Sequence, residues 1–289
     1  MITRQRTLLR LIELEGGKVS KLRLVKLAFL LRQSRAIDSS SSVYEFLPYH
    51  FGPYSFTLSH ELKTLERDDW ICVTETEIVA ARPADVETKK ITNLLAREIN
   101  SIVARFRETS TEGLVSDVYR NFPWYTVLAR NVQRRGASVP TANTAVYTVG
   151  YEGLMLDGLL NLLLQGGIKQ LVDVRCNPVA RRFGFHKSTL DRHCKDVGIS
   201  YVHLPDLGIP SSWRQELNGT EAYEKLFGRY ESEILPANDR WVQEACRLVQ
   251  DRPSALMCME ADAVCCHRSR LARVVAQRTG LPLQELRCH

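Results

Sequence analysis

Nowhere in the 289 residues does an apolar run approach the roughly 18 to 20 uncharged residues that a bilayer crossing requires. The start, Met1-Ile-Thr-Arg-Gln-Arg, leads into a charged amphipathic helix and not into the apolar centre of a secretion signal. The expectation is a protein of the cytosol with no membrane contact. A disulfide scaffold is lacking as well, because eight cysteines in so long a chain, six of them between positions 176 and 266, do not make a small secreted framework. In a reducing compartment their expected uses are thiol chemistry, metal binding or burial. A strong charge imbalance is also missing. The first 140 residues hold 21 Lys+Arg against 16 Asp+Glu and the remainder 18 against 17, an excess of +5 and +1 within a net +6. This permits contact with nucleic acid but falls short of a dedicated DNA-binding domain. No Walker A loop and no internal repeat is visible.

What is present, 44% apolar and 25% charged residues, suffices for two ordinary domains of roughly 100 to 200 residues each. The apolar spacing from Arg4 to Leu31, broken at Gly16-Gly17, predicts a helix, a turn and a second helix. A Ser39–Ser42 loop, an aromatic extended stretch at Tyr44–Tyr54, a helix over Ser55–Asp68 and a hairpin near Ile71–Ala80 follow. Asp85–Phe106 reads as one helix and Leu114–Leu128 as a shorter one. Residues 1–133 thus form a smaller, mainly helical domain, and the turn-rich tract 134–143 is a linker.

Over 144–289 the pattern becomes strand and helix in alternation. Strands are predicted at Val146–Gly150, Gln170–Arg175, Ser200–Leu204 and Ala255–Met259, with Leu283–Arg287 at an edge. Helices fall at Leu156–Gln165, Ser188–Asp196, Tyr223–Ile234, Asp239–Val249 and Cys266–Gln277. The fold class is α/β, a Rossmann-like, mostly parallel sheet whose functional groups should gather at the carboxyl ends of its strands.

Three stretches carry candidate chemistry there. Asp173 is costly inside an apolar strand unless paired, and Arg175 is its obvious partner; Asn177, Arg181, Arg182 and His186 crowd the following loop, a set suited to phosphate or another anion. In the second stretch Cys258 and Glu260 leave a strand on one side, while Cys266, His267 and Arg268 open a helix, where free amides and the macrodipole favour anions and thiolates. A nucleophile, an anion pocket or a metal site would all fit, but Cys-x6-Cys-Cys-His lacks the usual zinc spacing, so no metal ligand is assigned and no cofactor is named. Position at a helix start makes Cys265 or Cys266 the expected reactive thiol over mid-helix Cys246. The third is Gly150-Tyr151-Glu152-Gly153, whose glycines let the backbone turn or approach a ligand.

The motifs Tyr147-Thr-Val-Gly-Tyr-Glu-Gly, Leu171-Val-Asp-Val-Arg-Cys-Asn-Pro, Phe183-Gly-Phe, Tyr201-Val-His-Leu-Pro-Asp-Leu-Gly and Cys258-Met-Glu-Ala-Asp with Cys266-His-Arg-Ser resemble the DUF488 family. The resemblance implies that Tyr151, Glu152, Asp173, Arg175, Asn177, Pro178, Cys258, Glu260, Cys266, His267 and Arg268 occupy that family's signature positions; it supplies no reaction. A weaker likeness reaches rhodanese-type domains, but Cys258 and Arg268 lie ten residues apart, too far for a short anion loop. The front segment, through Gly17-Lys-Val-Ser, Phe46-Leu-Pro-Tyr-His-Phe-Gly-Pro-Tyr-Ser and Leu62-Lys-Thr-Leu-Glu-Arg-Asp-Asp-Trp-Ile, resembles the SocA/Panacea (DUF4065) family, which implies protein or nucleic-acid recognition.

The combined expectation is a bacterial protein that binds or processes a phosphate-bearing ligand, a nucleotide or nucleic acid, in defence or DNA-damage response. Asp173, Cys258, Glu260, Cys266 and His267 would carry the chemistry. Tyr151, Glu152, Gly153, Arg175, Asn177, Arg181, Arg182, His186 and Arg268 would hold the ligand. The rivals are a non-enzymatic module of toxin–antitoxin or ligand-sensing type, with a protein partner on residues 1–133, and a rhodanese-like thiol enzyme.

Overall fold

A computed structural model describes residues 1–34, 36, 42–179, 182–214 and 219–287, the side chains of 219 and 220 excepted. The chain divides into two compact units, Met1–Ser138 and Val139–His289. No helix among the described residues is long and apolar enough to cross a membrane.

The front unit runs α1 (Thr3–Leu14), β1 (Lys18–Ser20), α2 (Lys21–Gln33), β2 (Leu47–Tyr49), β3 (Gly52–Tyr54), α3 (Phe56–Arg67), β4 (Ile71–Val73), β5 (Glu77–Ala80), α4 (Asp85–Thr88), α5 (Asn93–Phe106) and α6 (Thr111–Asn121). Four of its helices, α2, α3, α5 and α6, begin where a hydroxyl is available to a free amide: Ser20, Ser55, Thr92 and Ser110 accept from Arg23, Leu58, Leu95 and Gly113. The cap at Thr92 explains a correction to the sequence reading. The helix expected over Asp85–Phe106 breaks into α4 and α5, because Thr92 takes an extended backbone conformation and starts a new helix. A second correction is β1, a strand between the expected Gly16-Gly17 turn and the second helix, which pairs antiparallel with β5. The aromatic stretch closes as the β2–β3 hairpin, and most of the Ser39–Ser42 loop lies outside the described residues.

Helix α2 is buried on nearly every side, and two of its buried residues, Arg23 and Lys26, are charged. Lys26, 1% exposed, donates to the carbonyls of Phe51 (2.6 Å) and Pro53 (2.9 Å) and so ties the hairpin to the helix. Between these two residues Gly52 has φ +84°, and a Cβ there would meet the Tyr119 ring at 2.6 Å. Burial lowers the Lys26 pKa from 10.5 to about 7. In the window between those values the unfolded chain holds a proton that the folded chain has released, so stability rises with pH from about 7 towards 10.5 and is least below 7. Thermal denaturation of the full chain should therefore show the front-unit transition climbing by a few degrees between pH 7 and 9, and Lys26→Met should flatten that slope. An identical slope in the variant would refute the assignment.

The back unit runs β6 (Val146–Gly150), α7 (Leu156–Gln165), β7 (Gln170–Asp173), α8 (Lys187–Asp196), β8 (Ser200–His203), α9 (Gly219–Arg229), a π-helical turn at Tyr230–Ile234, α10 (Leu235–Ala237), α11 (Asp239–Asp251), β9 (Ser254–Cys258), α12 (His267–Thr279) and β10 (Leu283–Glu285). The strands form one sheet in the order β10-β6-β9-β7-β8, parallel at every pairing. This is a Rossmann-like α/β arrangement. Strands β6, β7 and β9 are almost wholly buried and rich in Val and Leu, as strands covered on both faces must be. From β6 the chain crosses to β7, whereas from β9 it returns past β6 to β10. Two neighbouring strands thus send their exits in opposite directions, and the crevice between such exits is where α/β sheets bind ligands.

Candidate functional site

Pairing register sets the geometry at that crevice. Gly150 lies opposite Cys258, and Asp173 opposite Met257. Cys258 is the last residue of β9 and is 1% exposed; Cys266 caps α12 and His267 is its first residue, each also 1% exposed. The imidazole is fixed from behind. His267 Nε2 lies 3.1 Å from the carbonyl oxygen of Val174, and because a carbonyl only accepts, Nε2 carries the proton and Nδ1 presents its lone pair. That lone pair faces Cys258 Sγ at 3.7 Å and accepts from Arg214 Nη2 at 3.2 Å.

Glu260 completes the group. Its carboxylate accepts from Cys258 Sγ at 3.1 Å and from Arg214 Nη1 at 2.7 Å, and Cys266 also donates to it. Burial raises the Glu260 pKa, but the bonds from Cys266, Arg214 and Cys258 outweigh it and hold the carboxyl at about 2. For Cys266 burial wins instead. Its thiol is pushed well above the usual range, by desolvation first and by neighbouring Cys258 second. The lowered pKa expected from its place at a helix start is therefore overturned, because a thiolate in that dry position lacks enough compensating donors. Cys265 is exposed, and Cys246, half-buried on α11, is raised by burial.

Beside these groups lies a cavity of about 320 Å³ with two kinds of wall. Ile209, Tyr223, Leu226 and Phe227 form the apolar side; Arg214, Glu260, Cys265 and His267 form the polar side. Arg214, Tyr223 and Phe227 were not singled out in the sequence. Arg214 stands in Ser211-Ser-Trp-Arg, which matches no motif, and only the fold brings it 46 residues along the chain to Glu260. The aromatic wall left one trace, the helical spacing of Tyr223, Leu226 and Phe227.

The remaining candidates separate into two sets. Asp173, Arg175 and Tyr151 form a buried network. Arg175 spends Nε and Nη2 on the Asp173 carboxylate and Nη1 on Tyr151 Oη (2.9 Å) and the Phe185 carbonyl (3.0 Å), while Tyr201 Oη donates to Asp173 at 2.6 Å. Tyr151 stacks on Phe185 at 4.1 Å. Each of the three guanidinium nitrogens of Arg175 is thus engaged within the protein. Arg268, 0% exposed, donates to the carbonyls of Glu260 and Ala261 and to Glu285 (3.2 Å), and so braces the loop rather than facing Cys258. Glu152, Gly153, Asn177, Arg182 and His186 are exposed. Glu152 accepts from the Ala261 amide at 3.1 Å, His186 Nδ1 lies 3.1 Å from Ser188 Oγ, and Arg182 reaches the Gly153 carbonyl at 3.4 Å. Arg181 lies outside the described residues.

Residues 155–275 match a protein family described as "Domain of unknown function DUF488". The back unit is similar to that family. The matched segment carries the whole Cys258–Glu260–Cys266–His267 group and the cavity beside it. No curated protein and no solved structure matches the chain.

Proposed function

We propose that the back unit binds a nucleotide, free or within a nucleic-acid chain, in the cavity between α9 and the β9–α12 loop. The observation that carries this reading is the divided lining: a flat apolar ligand part fits against Tyr223 and Leu226, and its polar edge meets Glu260 and Arg214. A carboxylate accepts from the amino and imino groups of a base, and a guanidinium suits a phosphate or carbonyl oxygen. The volume is at the small end for ligand sites, right for one base with its sugar. The crevice at the oppositely directed exits of β6 and β9, with α12 starting at its margin, supports an anionic ligand. In this reading the front unit, with its +5 excess over the first 140 residues, carries contact with a nucleic-acid chain or a protein partner, and a defence or DNA-damage setting suits such a pairing.

Calorimetric titration of the full chain with each of the four nucleoside monophosphates, and with ribose 5-phosphate as a base-free control, tests it. At least one nucleotide should bind in the micromolar to low millimolar range, the sugar phosphate far more weakly. Tyr223→Ala and Arg214→Met should each cost about tenfold or more. Absence of binding by all four, or equal binding of ribose 5-phosphate, would dispose of the reading.

A thiol-enzyme reading draws on the Cys258–His267 pair at 3.7 Å. Against it stand the ionised Glu260 beside the sulfur, which opposes a second negative charge, and the direction of Arg268, which leaves no guanidinium of that residue for a sulfur- or phosphate-bearing substrate.

A further inference from the structure

We infer that Cys258, Cys266 and His267 are the ligands of a zinc ion, held at the floor of the β9–α12 loop. The inference is independent of the nucleotide reading. Two sulfurs and one imidazole nitrogen lie mutually within 4.8 Å, all three residues fully buried. Soft thiolates with a neutral imidazole are the donor set that zinc selects in proteins. Zinc–sulfur and zinc–nitrogen bonds at the tetrahedral angle place S and N about 3.6 Å apart; the Cys258 Sγ to His267 Nδ1 distance is 3.7 Å. The pair already stands as a bound ion requires.

The imidazole is also prepared for the ion. Ligating histidines hold their other N–H on a carbonyl or carboxylate, which fixes tautomer and ring orientation. His267 does this through Nε2 to the Val174 carbonyl, a contact between residues 93 apart in sequence. Packing of Tyr230 against the ring, edge on at 5.4 Å, holds it further. The ring nitrogen left on the other side, Nδ1, lies toward the two sulfurs and takes Arg214 Nη2 as its donor.

Charge accounts for Glu260 and Arg214. Two thiolates neutralise the ion, and the carboxylate is matched by the guanidinium 2.7 Å away. Arg214 Nη2 occupies the Nδ1 lone pair at 3.2 Å; this side chain is a third exposed and keeps Glu260 through Nη1 when it yields that position to a cation. The sequence spacing spoke against zinc because it assumed ligands on one turn or knuckle. Here one ligand ends a strand and two start a helix, and the intervening loop is folded back by Arg268 so that both ends meet.

The test uses the full-length protein, purified reduced, stripped with chelator and titrated with Co²⁺, whose thiolate charge-transfer absorption reports cysteine ligation, followed by Zn²⁺ competition and metal analysis. One equivalent per chain is expected, with the Co²⁺ band displaced by zinc. Cys266→Ser and His267→Ala should weaken binding at least tenfold, while Cys265→Ser and Cys246→Ser leave it unchanged; circular dichroism establishes that each variant is folded. Arg214→Met should bind the metal at least as tightly as the parent. That variant separates the two proposals, since nucleotide binding requires the guanidinium and zinc binding does not. No thiolate band in the parent protein, a band that survives in folded Cys266→Ser, or a Cys258–Cys266 disulfide found by intact mass in place of the metal would overturn the inference.

Discussion

Replacement of Asp173 by alanine should cost the back unit about 3 to 5 kcal/mol, the range seen when one partner of a buried ion pair is removed. The carboxylate is fully buried and accepts from the Arg175 amide at 3.0 Å, from the Arg175 guanidinium and from Tyr201. Among the described residues, the contacts of Arg175, 7% exposed, include no other anion. Burial alone would pull its pKa down; the bonds to Asp173 more than offset this and hold it above the ordinary value. Without the carboxylate the guanidinium stays charged in a dry pocket, and Tyr201 loses its acceptor. Tyr201→Phe removes a single bond and should cost only about 1 kcal/mol. Urea denaturation of the full chain, following the back-unit transition, measures both. A loss below about 1 kcal/mol for Asp173→Ala would show that water replaces the carboxylate and that the network is not dry.

Gly150→Ala should strongly weaken ligand and metal binding at the site while leaving most of the sheet intact. A Cβ at this position would lie 1.9 Å from the Glu260 carbonyl oxygen and 2.7 Å from its carbon, so the backbone of one strand or of the facing loop must move. The loop has little freedom to do so. Arg268 grips the carbonyls of Glu260 and Ala261, the Glu152 side chain takes the Ala261 amide, and the Glu152 amide donates to Met259 at 2.8 Å. Overpacking of this kind costs about 1 to 3 kcal/mol. Its larger effect is displacement of Glu260 and of Cys258, which lies opposite Gly150 in the register. Co²⁺ affinity should fall on the order of a hundredfold, with near-parental circular dichroism. An unchanged cobalt spectrum in the alanine variant would mean that the loop adjusts freely and that the glycine is incidental.

Most of the fold was legible because long apolar periodicities leave strong traces. The alternation after Val146 gave the parallel sheet, and the helix over Asp239–Val249 lies within α11 at Asp239–Asp251. What escaped was short or capped from outside. β1 has three residues and owes its existence to pairing with β5, while the break at Thr92 depends on one hydroxyl. At the candidate site, Cys258, Glu260, Cys266 and His267 were readable as a group because a strand end and a helix start lie close along the chain. Arg214 was not, since a surface-like arginine in a short turn acquires meaning only from Glu260 opposite it. The direction of Arg268 was also illegible. A helix-start arginine next to cysteines suggests an anion receptor, yet burial beside three oxygens made it a brace. For Cys266, position on the helix and desolvation oppose each other, and the sequence shows only the first.

The brace has a consequence for traffic into the cavity. An arginine whose charge is compensated by two main-chain carbonyls and Glu285 commits the segment Glu260–Ala261 to one conformation, because any swing would strand a cation in the protein interior. That side of the entrance is a fixed jamb. The other side is lined by Arg214 of the turn Ser211–Arg214, a third exposed and paired with Glu260 at 2.7 Å. Ligand exchange should then follow the strength of that one ion pair, slowing at low ionic strength and quickening as salt screens it.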